Sequence, residues 1–346
     1  MVTIKQVAKL AGVSTATVSR TLIHPEQVRA KTRQKVELAI RETNYTPNAT
    51  ARNLRRSESR AIIVIVPDIE NMFFAEIVRG IQLVAQKHGY KVLLGDTVHI
   101  VDQAKEYLEL VSSCQADGVI SLTAELPAEY QNEPDIPMVM ACEYFPDSAI
   151  PTVRIDNYGS AKKAVDYLIE LGHQHIGCIT GPMENPICIA RKAGFLASLE
   201  QAGIDVDDQA IESGDFSFDS GYIAFRRLHK QYAMTALFCF NDMMTLGAMR
   251  AAQEMGIKIP EQMSVVGFDD LLFSQYCSPT ITTIKQPQKL IGETAMKVLI
   301  KLIKTGNAAK ETVIPTQLLV RDSSTVCSLK RQESGSLCSE SRVVPG

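Results

Sequence analysis

From Ala61 onward the chain alternates short, almost unbroken apolar runs with helix-length amphipathic stretches, and this alternation limits the fold more than any other feature. Apolar runs fall at 62–66, 91–94, 118–122 and 138–141, with helical periodicity over 74–88 and 102–114 between the first three. After Pro151 the pattern restarts with runs at 152–155, 175–180, 235–240 and 264–268, and with helices near 158–171, 188–203, 219–231 and 242–256. Strands that are apolar at nearly every residue are buried on both faces, which is the signature of a parallel sheet covered by helices. Two successive sets predict two α/β lobes. A further helix over 287–304 and a strand over 312–320 predict that the chain recrosses between the lobes near 283–288.

The first sixty residues have a different character. Residues 3–44 read as short helices: Ile4, Val7, Ala8 and Ala11 recur at helical spacing, and Gly12 ends the first helix. Ser14 caps a second helix through Leu22, with Val18 and Leu22 facing inward. His24-Pro25 breaks the pattern, and 32–44 resumes it with Val36, Ala39 and Ile40 as the apolar stripe. Residues 1–60 hold 12 Lys and Arg against four acidic residues, a charge of +8, so the remainder of this −3 chain carries −11. A small basic head on a large acidic body points to a head that meets a polyanion.

Several function classes are excluded by what is missing. No apolar run reaches the roughly 18 residues needed to cross a bilayer. Residues 1–6 lack the apolar core of a secretory signal, so a soluble, cytoplasmic protein is expected. The eight cysteines form no Cys-x-x-Cys and no zinc-finger spacing with histidine, which predicts reduced thiols, no metal and no cofactor. There is no Gly-x-Gly-x-x-Gly, no Walker loop, no His-Glu-x-x-His and no Gly-x-Ser-x-Gly, so the chain is not expected to be an enzyme. The nearest thing to a catalytic carboxylate cluster is Asp269-Asp270, since Asp207-Asp208 reads as a loop.

A helix, a glycine turn and a second helix with small polar residues on its outer face follow the helix-turn-helix plan. Its second helix would enter the major groove, presenting Thr15, Ala16, Ser19 and Arg20 to base edges; Arg20 suits the O6 and N7 of guanine, and Ala16 a thymine methyl. Ser14 and Thr17 suit phosphate contacts.

With those residues in view, residues 3–56 resemble the headpiece of the lactose-repressor family, from Thr3-Ile4-Lys5-Gln6-Val7-Ala8 through Asn44-Tyr45-Thr46-Pro47-Asn48. Residues 61–327 resemble that family's two-lobed, periplasmic-binding-protein-like core. The resemblance implies a headpiece over 1–47, a hinge helix and linker over 48–60, a core for effector binding and dimerisation over 61–330, and a disordered tail over 331–346. It adds Thr3, Arg29, Asn48, Ala51, Leu54 and Arg55 to the DNA-contacting residues. Arg29 departs from the small serine common at its position. Leu54 matches a leucine that wedges between base steps in the minor groove, with Arg52, Arg55 and Arg56 as phosphate anchors; a leucine packed on the core is the alternative.

In open α/β sheets ligands bind at the carboxyl ends of the strands. Asp68, Phe73 and Phe74 follow the first apolar run, Arg191 follows Gly181-Pro182 on the inner face of its helix, and Phe216, Asn241 and Asp269 each follow a strand-like run. Aromatic faces can sandwich a ring, and a carboxylate such as Asp269 can accept two hydroxyl hydrogen bonds. By resemblance Phe74, Arg191, Phe216 and Asp269 fall on effector positions. Purine-responsive relatives use an arginine where Asn185 stands here, which counts against a purine. The family likeness therefore implies a dimeric transcriptional repressor of operator DNA, controlled by a small effector, a nucleoside such as cytidine. A pentose or purine effector, or a solute-binding protein without regulatory output, is the competing reading. The absence of a C-terminal leucine heptad predicts a homodimer and no tetramer. The cyclic-AMP receptor protein, which acts beside some relatives, is a partner to test.

Overall fold

The computed structural model describes residues 2–45 and 58–327 apart from Glu133 and Asp147. Asn48, Ala51, Leu54, Arg55, the expected hinge helix and the expected tail lie outside the described residues. Met1–Ser59 and Arg60–Gly346 form separate compact units.

The first unit contains α1 (Ile4–Ala11), α2 (Thr15–Ile23) and α3 (Ala30–Thr43). Gly12 ends α1 at φ +65°, a left-handed conformation that glycine adopts without steric cost. Val7, Ala8, Ala11, Val18, Val36 and Ala39 form one small core. Leu22 corrects the sequence reading: it is 37% exposed, and Thr21 faces inward in its place. Thr21 can do so because its hydroxyl donates to the Thr17 carbonyl one turn back, leaving its methyl to pack.

The second unit is built on two six-stranded sheets. The first has the order β11-β5-β4-β3-β1-β2, from β1 (Ala61–Val66), β2 (Lys91–Asp96), β3 (Gly118–Ser121), β4 (Met138–Ala141), β5 (Thr152–Ile155) and β11 (Glu311–Ile314). Ile62, Val64 and Val66 of β1 face one core and Ile63 and Ile65 face another, so both sides of the sheet are covered. The helices of this lobe are α4 (Phe73–Lys87), α5 (Val101–Ser112) and α10 (Gln288–Thr305). The second sheet has the order β12-β10-β9-β8-β6-β7, from β6 (Ile176–Thr180), β7 (Ile211–Ser213), β8 (Ala236–Cys239), β9 (Ser264–Asp269), β10 (Thr282–Lys285) and β12 (Gln317–Leu319). Its helices are α6 (Asn157–Glu170), α7 (Pro186–Gln201), α8 (Phe218–Gln231) and α9 (Asp242–Glu254). All pairings are parallel except β10 with β12.

Two boundaries differ from the sequence reading. β5 does not open the second lobe: it pairs with β4 and β11 in the first sheet, so the chain crosses over after Ile155 and not at Pro151. The stretch 312–320 is not one strand. Pro315-Thr316 divides it into β11 in the first sheet and β12 in the second, because proline has no N–H to continue a ladder. With the expected recrossing at Gln286-Pro287, the lobes are joined by three strands of chain. Among the described residues no helix is long and apolar enough to cross a membrane.

Candidate functional site

In the first unit the sequence-predicted contacts fall on one accessible helix end. Ser14 caps α2 by accepting from the Thr17 amide at 3.1 Å, and its hydroxyl shares a 2.9 Å hydrogen bond with Thr17. Thr15, Ala16 and Arg20 are exposed and Ser19 is half-buried, so the first turns of α2 present small polar groups and one guanidinium. Thr3, also exposed, caps α1 through a 2.7 Å bond from its amide to Gln6 Oε1. Arg29 occupies the N-cap of α3 without a side-chain capping bond. Its charge is therefore free of any local capping duty.

In the second unit the carboxyl ends of both sheets converge on Arg191. This residue is 3% exposed on the inner face of α7. Its Nε donates to Asn157 Oδ1 at 2.9 Å, a terminal nitrogen donates to the Phe240 carbonyl, and its plane lies over Phe268 with 3.8 Å to the ring centroid. Asn157 begins α6 where the chain enters the second lobe, so Arg191 is fastened at a crossing point. Burial pushes its basicity down, while Asp269 holds the charge in place.

Asp269 ends β9 and is 5% exposed. Gln286 Nε2 donates to its Oδ1 at 2.7 Å, and Gln288 Nε2 donates to its carbonyl at 2.6 Å. Burial raises its carboxyl to about 8 against the pull of Arg191, and the nearby Asp242 adds to the rise. Asp242 is itself raised by burial to about 6, and Ser274, Thr283 and the Leu271 amide all donate to it. Asp270 has a different fate, in ion pairs with Arg321 at 2.6 Å and Lys285 at 3.5 Å. The two adjacent carboxylates therefore do not work as a catalytic pair. Among the described residues no group of His, Cys, Asp and Glu is arranged to hold a metal.

Phe216 packs its ring on Gly181 and Cys188, at a place where a Cβ on Gly181 would overlap the ring. Asn241 caps α9 with its Oδ1 and donates from Nδ2 to the Phe216 carbonyl at 2.8 Å. Both ends of Asn241 are thus engaged in positioning Phe216. Asp68 makes a local turn by accepting from the Glu70 amide at 2.8 Å. Phe73 and Phe74 pack edge to face, 5.4 Å between centroids, at the carboxyl end of β1.

Backbone strain gathers at these strand ends. Cys142, Phe216, Asp269 and Asp270 have φ of +73°, +72°, +115° and +60°, a region that side chains avoid. Such outliers cost on the order of 1–3 kcal/mol each and persist where surrounding structure holds a group for a purpose. Sequence reasoning missed Glu143, Asn157 and Gln286, all 8% exposed or less. Each sits just past a strand or at a crossing, and no local pattern marks it. A separate depression of about 510 Å³ lies on the outer side of α7, lined by Lys192, Leu196, Ile204 and Val206. Its polar lining is exposed to solvent, and none of the residues above reaches it.

With the geometry in place, comparison with known proteins is informative. Residues 3–48 match the description "Bacterial regulatory proteins, lacI family", and residues 165–324 match "Periplasmic binding protein-like domain". The chain is 44% identical over 328 residues to the transcriptional repressor CytR of Escherichia coli (strain K12), covering 93% of this chain and 96% of the relative. It superimposes on the lac repressor dimer bound to operator and the anti-inducer ONPF with a TM-score of 0.81 and 29% identity, covering 94% and 99% of the two chains. A LacI family transcriptional regulator from Enterococcus faecium, solved with bound ribose, gives a TM-score of 0.69 and 28% identity, covering 78% of this chain and 100% of that one.

Proposed function

The chain belongs to the lacI family of bacterial regulatory proteins, and from that premise we propose that it represses transcription by holding operator DNA through its headpiece and altering that hold when a nucleoside occupies the cleft. The observation that carries the effector reading is the convergence of Phe216, Arg191 and Asp269 at the carboxyl ends of the second sheet. Phe216 offers a ring face, and buried Asp269 offers acceptors to a pair of sugar hydroxyls. The ribose bound by the Enterococcus faecium neighbour supports a sugar at this end of the ligand. Thr15, Ala16, Ser19 and Arg20 read bases, while Ser14, Thr17, Thr3 and Arg29 meet phosphates. Asn48, Ala51, Leu54 and Arg55 complete the DNA contacts. The protein works in the cytoplasm, where the operator is.

The working form is a homodimer made through the core. Leu93 and Leu94 of the edge strand β2 are 48% and 41% exposed, and Ile69, Met72, Val98 and Ile100 are exposed beside them. An open apolar sheet edge is a liability that a second copy removes. In the other lobe Leu272 and Tyr276 are exposed next to the Phe218–Phe273 ring pair. The cyclic-AMP receptor protein is a partner suggested by resemblance alone, and co-footprinting on one operator tests it.

The test of this function is a thermal-shift panel of nucleosides, free bases and pentoses, followed by an operator gel shift with each compound that raises Tm. A nucleoside should raise Tm and change operator affinity. Stabilisation by a compound that leaves operator binding unchanged would refute the coupling.

A further inference from the structure

Glu143 has no evident duty in the fold, yet it is buried. It follows β4 in the first lobe and is 8% exposed. One carboxylate oxygen accepts from the Ala124 amide at 2.6 Å, and the other accepts from Asn185 Nδ2 at 2.5 Å. Asn185 belongs to the second lobe, where its Oδ1 caps α7 by accepting from the Ile187 amide at 3.0 Å. The bond between the two side chains therefore runs from lobe to lobe across the cleft.

The charges that bear on Glu143 are those of Glu125 and His99, and neither is a lysine or arginine paired with it. Burial drives its carboxyl toward the neutral form. A buried carboxyl without a cation is generally worse for stability than an apolar side chain of the same size. Its place in the cleft calls for donors that the folded chain does not supply. Each carboxylate oxygen has two acceptor sites, and the protein fills one on each. The Asn185 amide has two N–H groups, and Glu143 takes one. The pair thus offers an acceptor on Glu143 next to a donor on Asn185. Glu143 also lies within electrostatic reach of Arg191 and Cys188, the latter in contact with the Phe216 ring position.

An acceptor beside a donor is complementary to an exocyclic amine beside an unprotonated ring nitrogen. That edge occurs on cytosine and adenine. Their oxo counterparts, uracil and hypoxanthine, present a carbonyl and a ring N–H, which would face the pair with like groups opposed. We infer that Glu143, aimed across the cleft by Asn185, reads an exocyclic amino group on the effector's base, so that the effector is an amino-bearing nucleoside and not its oxo counterpart. The inference rests on the nucleoside reading above and adds the residue that selects among nucleosides. Because the two side chains come from different lobes, the selection is complete only when the cleft is closed.

The test is isothermal titration of the full chain with two matched pairs, cytidine with uridine and adenosine with inosine, and with ribose alone. In the parent, at least one amino member should bind about tenfold or more tighter than its oxo partner, as expected for a paired hydrogen-bonding edge. Glu143→Gln should reduce that ratio to within about threefold, because a carboxamide can turn either its N–H or its oxygen toward the base. Asn185→Leu keeps Glu143 but removes its aim and should also reduce the ratio, which covers the case of a poorly folded Glu143→Gln. Asp269→Asn should weaken both members of a pair equally and leave the ratio intact. Equal binding of amino and oxo members by the parent, or a ratio unchanged in both Glu143→Gln and Asn185→Leu, overturns the inference while leaving a nucleoside effector standing. Ribose binding as tightly as every nucleoside overturns both.

Discussion

The buried carboxyl of Asp269 makes effector binding a proton-linked event, and the size of the linkage follows from its environment. Asp269 titrates at about 8 in the folded chain because burial outweighs the attraction of Arg191. Sugar hydroxyls bind the carboxylate form, so below pH 8 the effector must displace a proton. The ionised fraction is roughly 3% at pH 6.5 and roughly 75% at pH 8.5, so affinity should rise about 25-fold across that range. The range stays clear of Asp242, which titrates at about 6. Arg191 keeps its charge throughout, and Cys142, raised by burial, stays a thiol. Titration calorimetry in two buffers of different ionisation enthalpy should show close to one proton released per effector near pH 7. Asp269→Asn should remove the slope and weaken binding at pH 8.5 by roughly 10–150-fold, the loss of one charge-assisted hydrogen bond of about 1.5–3 kcal/mol. The stability of the free protein moves the other way. A carboxyl raised above its unfolded value favours folding at low pH, and that contribution is lost as pH rises through about 8. Asp269→Asn should therefore raise Tm at pH 8 more than at pH 6. An effector affinity that is flat with pH in the parent, or a slope that survives in Asp269→Asn, would remove Asp269 from the binding site.

Three further outcomes can be checked. Arg20→Ala should weaken operator binding by about 1–3 kcal/mol in fluorescence anisotropy, with a smaller loss on scrambled DNA; equal losses would demote Arg20 to a phosphate contact. Leu93→Lys combined with Leu272→Lys should convert the dimer to monomers in sedimentation velocity at micromolar concentration, and an unchanged dimer would move the interface elsewhere. His173 is buried between Thr235, Ser264 and the Thr325 carbonyl, and burial lowers its basicity. A depressed histidine stabilises above its unfolded value near 6.5 and loses that contribution as pH falls. The Tm gap between the parent and His173→Gln should accordingly narrow from pH 7.5 to pH 5, and a gap that widens contradicts the sign.

Much of the architecture was legible because burial on both faces leaves an unbroken apolar run. β1, β3, β4, β6, β8 and β9 are buried at every residue and stand out in the sequence. β7, Ile211–Ser213, is short, partly exposed and at a sheet edge, so it carries no such signal. The lobe to which β5 belongs was illegible for another reason. Pairing with β4 and β11 depends on residues 11 and about 160 positions away, and proline at 151 gives the same local break for a turn as for a change of lobe. The site divides in the same manner. Phe216 and Asp269 follow apolar runs and could be found by position, but their left-handed backbones could not, since no glycine announces them. Asn157 and Glu143 are polar residues whose partners, Arg191 and Asn185, lie 34 and 42 positions away.

The placement of these partners says how occupancy of the cleft can reach the rest of the molecule. Arg191 is fastened to Asn157 at the first crossing, and Asp269 is fastened through Gln286 and Gln288 at the second. Ser160 and Thr316 share a 2.7 Å hydrogen bond beside the third. Two of the three connecting strands therefore end on the side chains that would meet the effector. A ligand that draws on Arg191, Asp269 and Glu143 together acts on groups of both lobes and on the joints between them. Such a ligand favours one lobe arrangement by as much as its contacts differ between arrangements, and no more. A coupling of about 1–3 kcal/mol, typical of allosteric proteins, is within reach of one or two charge-assisted hydrogen bonds made only in the closed cleft. Two buried carboxyls lacking enough donors, on opposite lobes, are suited to supply that difference: each gains its missing donor only when the ligand is present and the lobes are together.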